Sequence, residues 1–135
     1  MEYTPEKITE LSGNEIFTYG SNSAGIHGAG AARLALKWGA IYGEDGFNGQ
    51  TYGISTKDEF IETLPLPEIK KNVDIFVHFA TQHPEYKFLV TKIGTGLAGL
   101  KIEDIAPMFK GARKLANVVL PKDFCDFNRL PRQPQ

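Results

Sequence analysis

The chain has 135 residues, a formal net charge of −1 and a single cysteine, Cys125. Near-neutral charge excludes a general attraction to nucleic acid or anionic membrane, one cysteine excludes an internal disulfide, and no apolar run is long enough to span a bilayer. We therefore expect a cytoplasmic protein without membrane contact or sequence-specific nucleic-acid binding. It should form one domain over residues 1–135, with a core over about 14–124 and a proline-rich tail over 125–135.

Strands and helices are predicted to alternate in the first half of the chain. Residues 1–13 form a lead-in with a helical turn at its centre, and residues 15–20 are a compact β-rich run. Apolar residues at helical spacing predict a helix over 30–38. A polar, glycine-rich loop over 43–50 then leads to a second strand over 51–56.

The clearest helix of the second half begins near Pro67 and stops at His83. Its apolar residues recur at the spacing of one helix face: Ile69, Val73, Phe76, Val77 and Ala80. The elements predicted beyond it are a strand over 87–93, a helix over 101–109 with a kinking or early Pro107, a strand over 117–120, and a loosely ordered tail from residue 126.

This alternation predicts an α/β layered sheet. Ligands in open α/β sheets bind outside the carboxyl ends of the strands. Two glycine-rich loops and the pair Lys57 and Asp58 all follow predicted strands. Together they predict a ligand site at one edge of the sheet.

The first glycine-rich loop, residues 25–30, has the sequence Gly-Ile-His-Gly-Ala-Gly and runs into a helix. The backbone N–H groups of Gly28, Ala29 and Gly30 are placed to bind a phosphate there. No Gly-Lys-Ser/Thr follows, so it is not a Walker A loop, and its spacing does not match the dinucleotide fingerprint. The alternative is a tight strand-to-helix connection that uses glycine for packing.

The second loop, residues 94–99, follows the strand over 87–93. Main-chain contacts are predicted from Gly94, Gly96 and Gly99, a hydroxyl from Thr95, and further contacts from the intervening Leu97 and Ala98. The alternative is a turn that needs positive φ angles. Two such loops in one small domain predict a diphosphate held between them.

Four side chains near the loops are candidates for chemistry. Lys57 could stabilise a developing negative charge or act as a nucleophile, and Asp58 could act as a base or orient a ribose hydroxyl. His27 could transfer a proton or bind ligand, and Asn22 could bind a ribose. The alternatives are that Lys57 and Asp58 are exposed charges in a turn, that His27 stabilises the loop or is solvated, and that Asn22 forms a turn.

No metal site or cofactor is expected. His78 and His83 have no companions at metal-ligand spacing, and one cysteine does not make a zinc site. The remaining acidic candidates, Asp45, Glu103 and Asp104, are interpreted as solvated or capping residues.

Taken in order, these segments resemble a macrodomain, the ADP-ribose-binding module. The pattern is a strand ending in Gly20-Ser21-Asn22, a His-Gly-Ala-Gly-Ala-Ala run over 27–32, a Tyr-Gly-Ile-Ser-Thr-Lys run over 52–57, and an Ile-Gly-Thr-Gly-Leu-Ala-Gly run over 93–99. The resemblance covers roughly residues 14 to 124. It is strongest to the compact branch that includes the terminal ADP-ribose glycohydrolases, where an Ile-Gly-x-Gly-Leu loop is typical.

The resemblance implies a three-layer α/β/α fold with a mixed central sheet and an ADP-ribose cleft at the strand ends, with Thr56 among the ligand contacts. It also implies that Lys57 attacks the distal ribose, but Ala98 occupies the position of the family's partner aspartate. Asp58 or His27 would then supply the missing acid or base. The early aspartate that binds the adenine amine is also missing, with Asn14 or Glu15 as replacements.

Three functions remain open from the sequence. The protein binds ADP-ribose or a derivative without turnover, or it hydrolyses ADP-ribosyl linkages, with an ADP-ribosylated macromolecule as partner. The third alternative is a small nucleotide phosphatase on a similar sheet.

Overall fold

The computed structural model describes residues 2–23, 30–95 and 98–129. Within them the chain forms a six-stranded sheet in the order β1-β6-β5-β2-β4-β3. The strands are β1 (Tyr3–Thr4), β2 (Glu15–Asn22), β3 (Gly46–Asn48), β4 (Thr51–Lys57), β5 (Lys87–Val90) and β6 (Val118–Pro121). Neighbouring strands run parallel except β3 and β4, which are antiparallel, so the predicted mixed sheet is confirmed.

The described residues also form four α-helices and two 3₁₀ segments. The helices are α1 (Gly30–Ala35), α2 (Leu66–Gln82), α3 (Ile102–Ile105) and α4 (Lys122–Arg129). The 3₁₀ segments are Leu36–Trp38 after α1 and Ala106–Lys114 after α3. None of the helices in this part of the chain is both long and apolar enough to cross a membrane.

Hydrophobic side chains pack on both faces of the sheet because successive residues of a strand point to opposite faces. In β2, Ile16 joins a core with Phe76 of α2 and Phe124 of α4. The next residue, Phe17, and Tyr19 join a second core with Ala35 of α1. Helices therefore cover both faces, an arrangement compatible with a three-layer α/β fold.

The long helix α2 confirms the predicted apolar face, since Ile69, Val73, Phe76 and Ala80 are buried. The helix expected over 101–109 is instead the short α3 and a 3₁₀ segment. Pro107 lies in the first turn of that segment, where its missing N–H breaks no hydrogen bond.

Several predicted boundaries were wrong. The lead-in over 1–13 contains β1, which pairs with the distant β6, and the loop over 43–50 contains β3, which forms a hairpin with β4. The strand over 87–93 ends at Val90, and the N–H of Ile93 then bonds the carbonyl of Thr91 at 2.7 Å, which turns the chain. Helix α4 covers the start of the expected loose tail, and residues 130–135 lie outside the described part.

Candidate functional site

The candidate site lies where three neighbouring strands end. The strand order places β2 between β4 and β5, and all three run parallel. Their carboxyl ends therefore lie side by side at one edge of the sheet. Asn22, Thr56, Lys57 and the start of the second glycine loop come together there. We call this region the cleft edge.

Gly20 lies at the centre of the cleft edge and is half-buried although it belongs to a central strand. A Cβ atom placed on it would lie 3.4 Å from Ile93 Cγ2, 3.5 Å from the backbone nitrogen of Gly94 and 3.7 Å from Thr56 Oγ1. The absent side chain leaves a partly exposed gap between the second loop and the end of β4. The gap is the size of one methyl group, so a ligand lying over it would approach the main chain of Gly94 and the Thr56 hydroxyl.

The second loop is a closed turn. Gly94 has a φ of 82°, and its carbonyl accepts a 2.8 Å hydrogen bond from the N–H of Leu100. Gly99 has a φ of 73°. The Thr95 hydroxyl donates to the Lys92 carbonyl at 2.9 Å, so it is available to a ligand only as an acceptor. The predicted contacts Gly96 and Leu97 lie outside the described residues.

The end of β4 is tied to β2 through an irregular pairing. Asn22 pairs with Lys57 after a register shift, and the Lys57 carbonyl accepts a 3.0 Å hydrogen bond from the N–H of Ser23. The buried Thr56 hydroxyl donates to the Ser21 carbonyl at 3.4 Å. Lys57 itself is half-buried, and its amine forms no ion pair with the described residues.

Asp58 is part of a turn. Its Oδ1 accepts hydrogen bonds from the N–H groups of Phe60 at 2.8 Å and Glu62 at 3.0 Å, and its own N–H donates to the Glu62 carbonyl at 2.8 Å. Ile61 within this turn has a φ of 64°, which is rare for a β-branched residue. These contacts favour the turn interpretation of Asp58 over a catalytic base.

The turn after β4 contacts the second loop directly. Thr63 forms a β-bridge with Lys57, and its hydroxyl donates to the Ala98 carbonyl at 3.0 Å. Ala98 therefore lies near Lys57, but its methyl group provides no acid. The described end of the second loop and the segment 58–63 are therefore in contact at the cleft edge.

The first loop is only partly described. Gly30 begins α1 with a φ of 60°, and α1 is only six residues long. Its helix dipole is accordingly weak. The predicted site residues His27, Gly28 and Ala29 lie outside the described residues.

The proposed substitutes for the adenine-binding aspartate are misplaced. Glu15 is the first residue of β2 and Asn14 precedes it, whereas Asn22 is the last residue. Seven residues of strand separate the two ends by about 23 Å at ~3.3 Å per residue. Asn14 and Glu15 therefore lie at the opposite edge of the sheet from the cleft.

Sequence reasoning missed the polar group formed by Ser55 and Asp45. The Ser55 hydroxyl donates a hydrogen bond to Asp45 Oδ2, although Asp45 was expected to be a solvated or capping residue. The signal for this contact was the Asn48-Gly49 pair before a β-rich run, a typical hairpin turn. That hairpin pairs β3 with β4 and carries Asp45 to the carboxyl end of β4.

Asp45 also affects two buried tyrosines. Burial raises the pKa of Tyr19 to about 12, a hydrogen bond with Ser21 opposes the rise, and the negative charge of Asp45 adds to it. Burial and then the charge of Asp45 raise the pKa of Tyr52. Both tyrosines are therefore neutral at physiological pH. No group of three or more metal-ligating side chains occurs in the described part of the chain.

Comparisons of the chain with protein-family models, with curated proteins and with solved structures found no match.

Proposed function

We propose that the protein binds ADP-ribose or a closely related nucleotide at the cleft edge, where β5, β2 and β4 end. The observation that carries the proposal is the half-buried Gly20 gap between the Gly94 main chain and the Thr56 hydroxyl. The mixed sheet with helices on both faces is also what the resemblance to macrodomains implies.

The cleft edge offers groups suited to a nucleotide with a diphosphate. Gly99 has a positive φ and open space at its Cβ position, so a ligand can approach the backbone there. The amine of Lys57, which forms no ion pair with the described residues, provides a local positive charge in a protein whose net charge is −1. Asn22 lies opposite Lys57 and can contribute an amide to a ribose hydroxyl.

Binding without turnover is favoured over hydrolysis of an ADP-ribosyl linkage. The lysine-aspartate mechanism implied by the resemblance needs a carboxylate at position 98, where the chain has alanine. Asp58, the expected substitute, already accepts two backbone hydrogen bonds within its turn. Hydrolysis remains the second candidate because Lys57 lies free of ion pairs among the described residues, as an attacking amine would.

Calorimetry with ADP-ribose, ADP and ribose 5-phosphate tests the binding proposal. At one hundred times its dissociation constant, a bound ligand adds about 2.7 kcal/mol to the free energy of unfolding, which a thermal shift would also report. No heat and no shift with millimolar ADP-ribose would contradict the proposal.

The substitution Gly20→Ala locates the site. The new methyl group would make contacts of 3.4 Å or longer, so the fold should tolerate it, but it would occupy the gap. We expect affinity for ADP-ribose to fall at least tenfold, about 1.4 kcal/mol. Gly13→Ala is the matched control because nothing lies within 4 Å of its Cβ position. Equal affinities in both variants would place the ligand elsewhere.

Turnover is measured separately on ADP-ribosylated protein. We expect no release of ADP-ribose by the native protein. Release that is lost in Lys57→Ala and His27→Ala, with ADP-ribose binding retained, would instead establish the hydrolase.

A further inference from the structure

Asp45 is brought to the cleft edge by strand pairing. It directly precedes β3, whose first residue, Gly46, pairs with Gly53 of β4. This antiparallel register extends Asp45 along β4 towards its carboxyl end. There Asp45 Oδ2 accepts the hydrogen bond of Ser55, a buried residue two positions before Lys57, or about 7 Å along the strand.

The serine that holds Asp45 belongs to a polar group across two central strands. Ser55 pairs with Ser21 of β2, and Ser21 is hydrogen-bonded to the buried Tyr19 hydroxyl. Gly53 makes room for this hydroxyl, since a Cβ there would lie 2.9 Å from the Tyr19 oxygen. The Ser55 side chain is therefore fixed by packing and fixes one oxygen of Asp45.

The second oxygen of Asp45 is available. Oδ1 accepts no hydrogen bond from the described residues, and Asp45 forms no ion pair with them, while the residue as a whole is exposed. A carboxylate only accepts hydrogen bonds and repels phosphate. It suits neighbouring hydroxyls, each of which donates one hydrogen bond, and not the diphosphate.

We infer that Asp45, seated on Ser55, is the carboxylate of the cleft edge and binds a vicinal diol of a ribose. This inference rests on the proposed function and specifies the ligand chemistry of the same site. Asp45, and not residue 98, thereby supplies the carboxylate of the site. Asp58 is a weaker candidate, because its Oδ1 already holds the turn over residues 58–62 with two hydrogen bonds and only its Oδ2 is left for a ligand.

The test compares two ligands on one variant. ADP-ribose carries vicinal ribose hydroxyls, and 2′,3′-dideoxy-ADP carries none. We expect Asp45→Ala to weaken ADP-ribose binding at least tenfold and dideoxy-ADP binding less than twofold. Asp74→Asn on α2, which removes a carboxylate paired with Lys70, is the control and should bind both ligands as the native protein does.

Ser55→Ala separates positioning from folding. It keeps the Asp45 carboxylate but removes the Ser55 hydrogen bond that positions it. It should therefore weaken ADP-ribose binding less than Asp45→Ala does, and it should also lower the preference for ADP-ribose over dideoxy-ADP. The melting temperature of each variant reports its folding. Unchanged ADP-ribose affinity in Asp45→Ala, or an equal loss for both ligands, would overturn the inference. Failure of the native protein to bind ADP-ribose would instead overturn the proposed function.

Discussion

At the scale of single residues, the two glycines of the second loop differ in what they require. Gly94 and Gly99 both have positive φ, which disfavours any side chain. Only Gly94 is also crowded, since a Cβ there would lie 2.8 Å from Leu100 Cδ1. A Cβ on Gly99 would meet nothing within 4 Å. The stability cost of a side chain in positive φ can therefore be measured at Gly99, and the added cost of the contact with Leu100 can be measured at Gly94.

Gly99→Ala should lower the free energy of unfolding by about 1 kcal/mol, the cost of a left-handed alanine. Gly94→Ala should cost about 1.5–2 kcal/mol, because the Leu100 side chain must also turn aside from the new methyl group. Gly111→Ala, in open space and without positive φ, is the control and should be within about 0.5 kcal/mol of the native protein. Urea denaturation measures all three, and equal losses in the two loop variants would contradict the crowding at Gly94.

At the scale of elements, the turn over 58–62 follows β4 directly at the cleft edge and is held by the Asp58 side chain. Asp58→Ala removes the acceptor for two backbone N–H groups and should cost about 1.5–3 kcal/mol of stability. Asp58→Asn keeps a side-chain oxygen and should lose less than half of that. Both are measured by urea denaturation. If instead Asp58→Asn kept full stability but abolished an ADP-ribosyl hydrolysis shown by the native protein, Asp58 would be a catalytic base.

Elements with a strong local pattern could be predicted from the sequence. Helix α2 has its apolar face at the predicted residues, and the predicted β2 and β4 are present, each one or two residues longer than expected. Strand β1 has two residues and forms only through long-range pairing with β6, so no local pattern indicated it. Strand β3 has three residues and pairs with β4 across the Asn48-Gly49 hairpin, a local signal that was overlooked. The grouping of Asn22, Lys57 and Gly94 followed from the expected strand ends. Asp45 was missed because its position depends on the β3–β4 hairpin.

At the scale of the whole molecule, each face of the sheet carries a buried tyrosine. Tyr19 belongs to the core beneath α1, and Tyr52 belongs to the core beneath α2. Burial is the largest cause of the raised pKa of both. The unfolded chain therefore loses these phenol protons at a lower pH than the folded protein does.

This difference predicts an alkaline limit to stability. The contribution of Tyr19 is fully present below pH 10.0, its ordinary pKa, and is lost as the pH rises through its folded pKa of about 12. Tyr19→Phe should reduce the decline of melting temperature between pH 10 and 12, and Tyr52→Phe should reduce it by a smaller amount. The comparison between variants uses the slope of melting temperature against pH and not the melting temperatures themselves. A slope unchanged by Tyr19→Phe would show that its phenol does not govern alkaline unfolding.

The order of the sheet has a consequence for how copies of this protein meet. The two outermost strands are also its two shortest, β1 with two residues and β3 with three. Pro5 follows β1, and the first residue of β3, Gly46, and the residue after it, Gly49, have positive φ of 77° and 57°. An incoming strand would find too few free backbone groups in line to extend the sheet. The short outer strands of the described sheet therefore disfavour strand-to-strand association of folded copies at both of its margins.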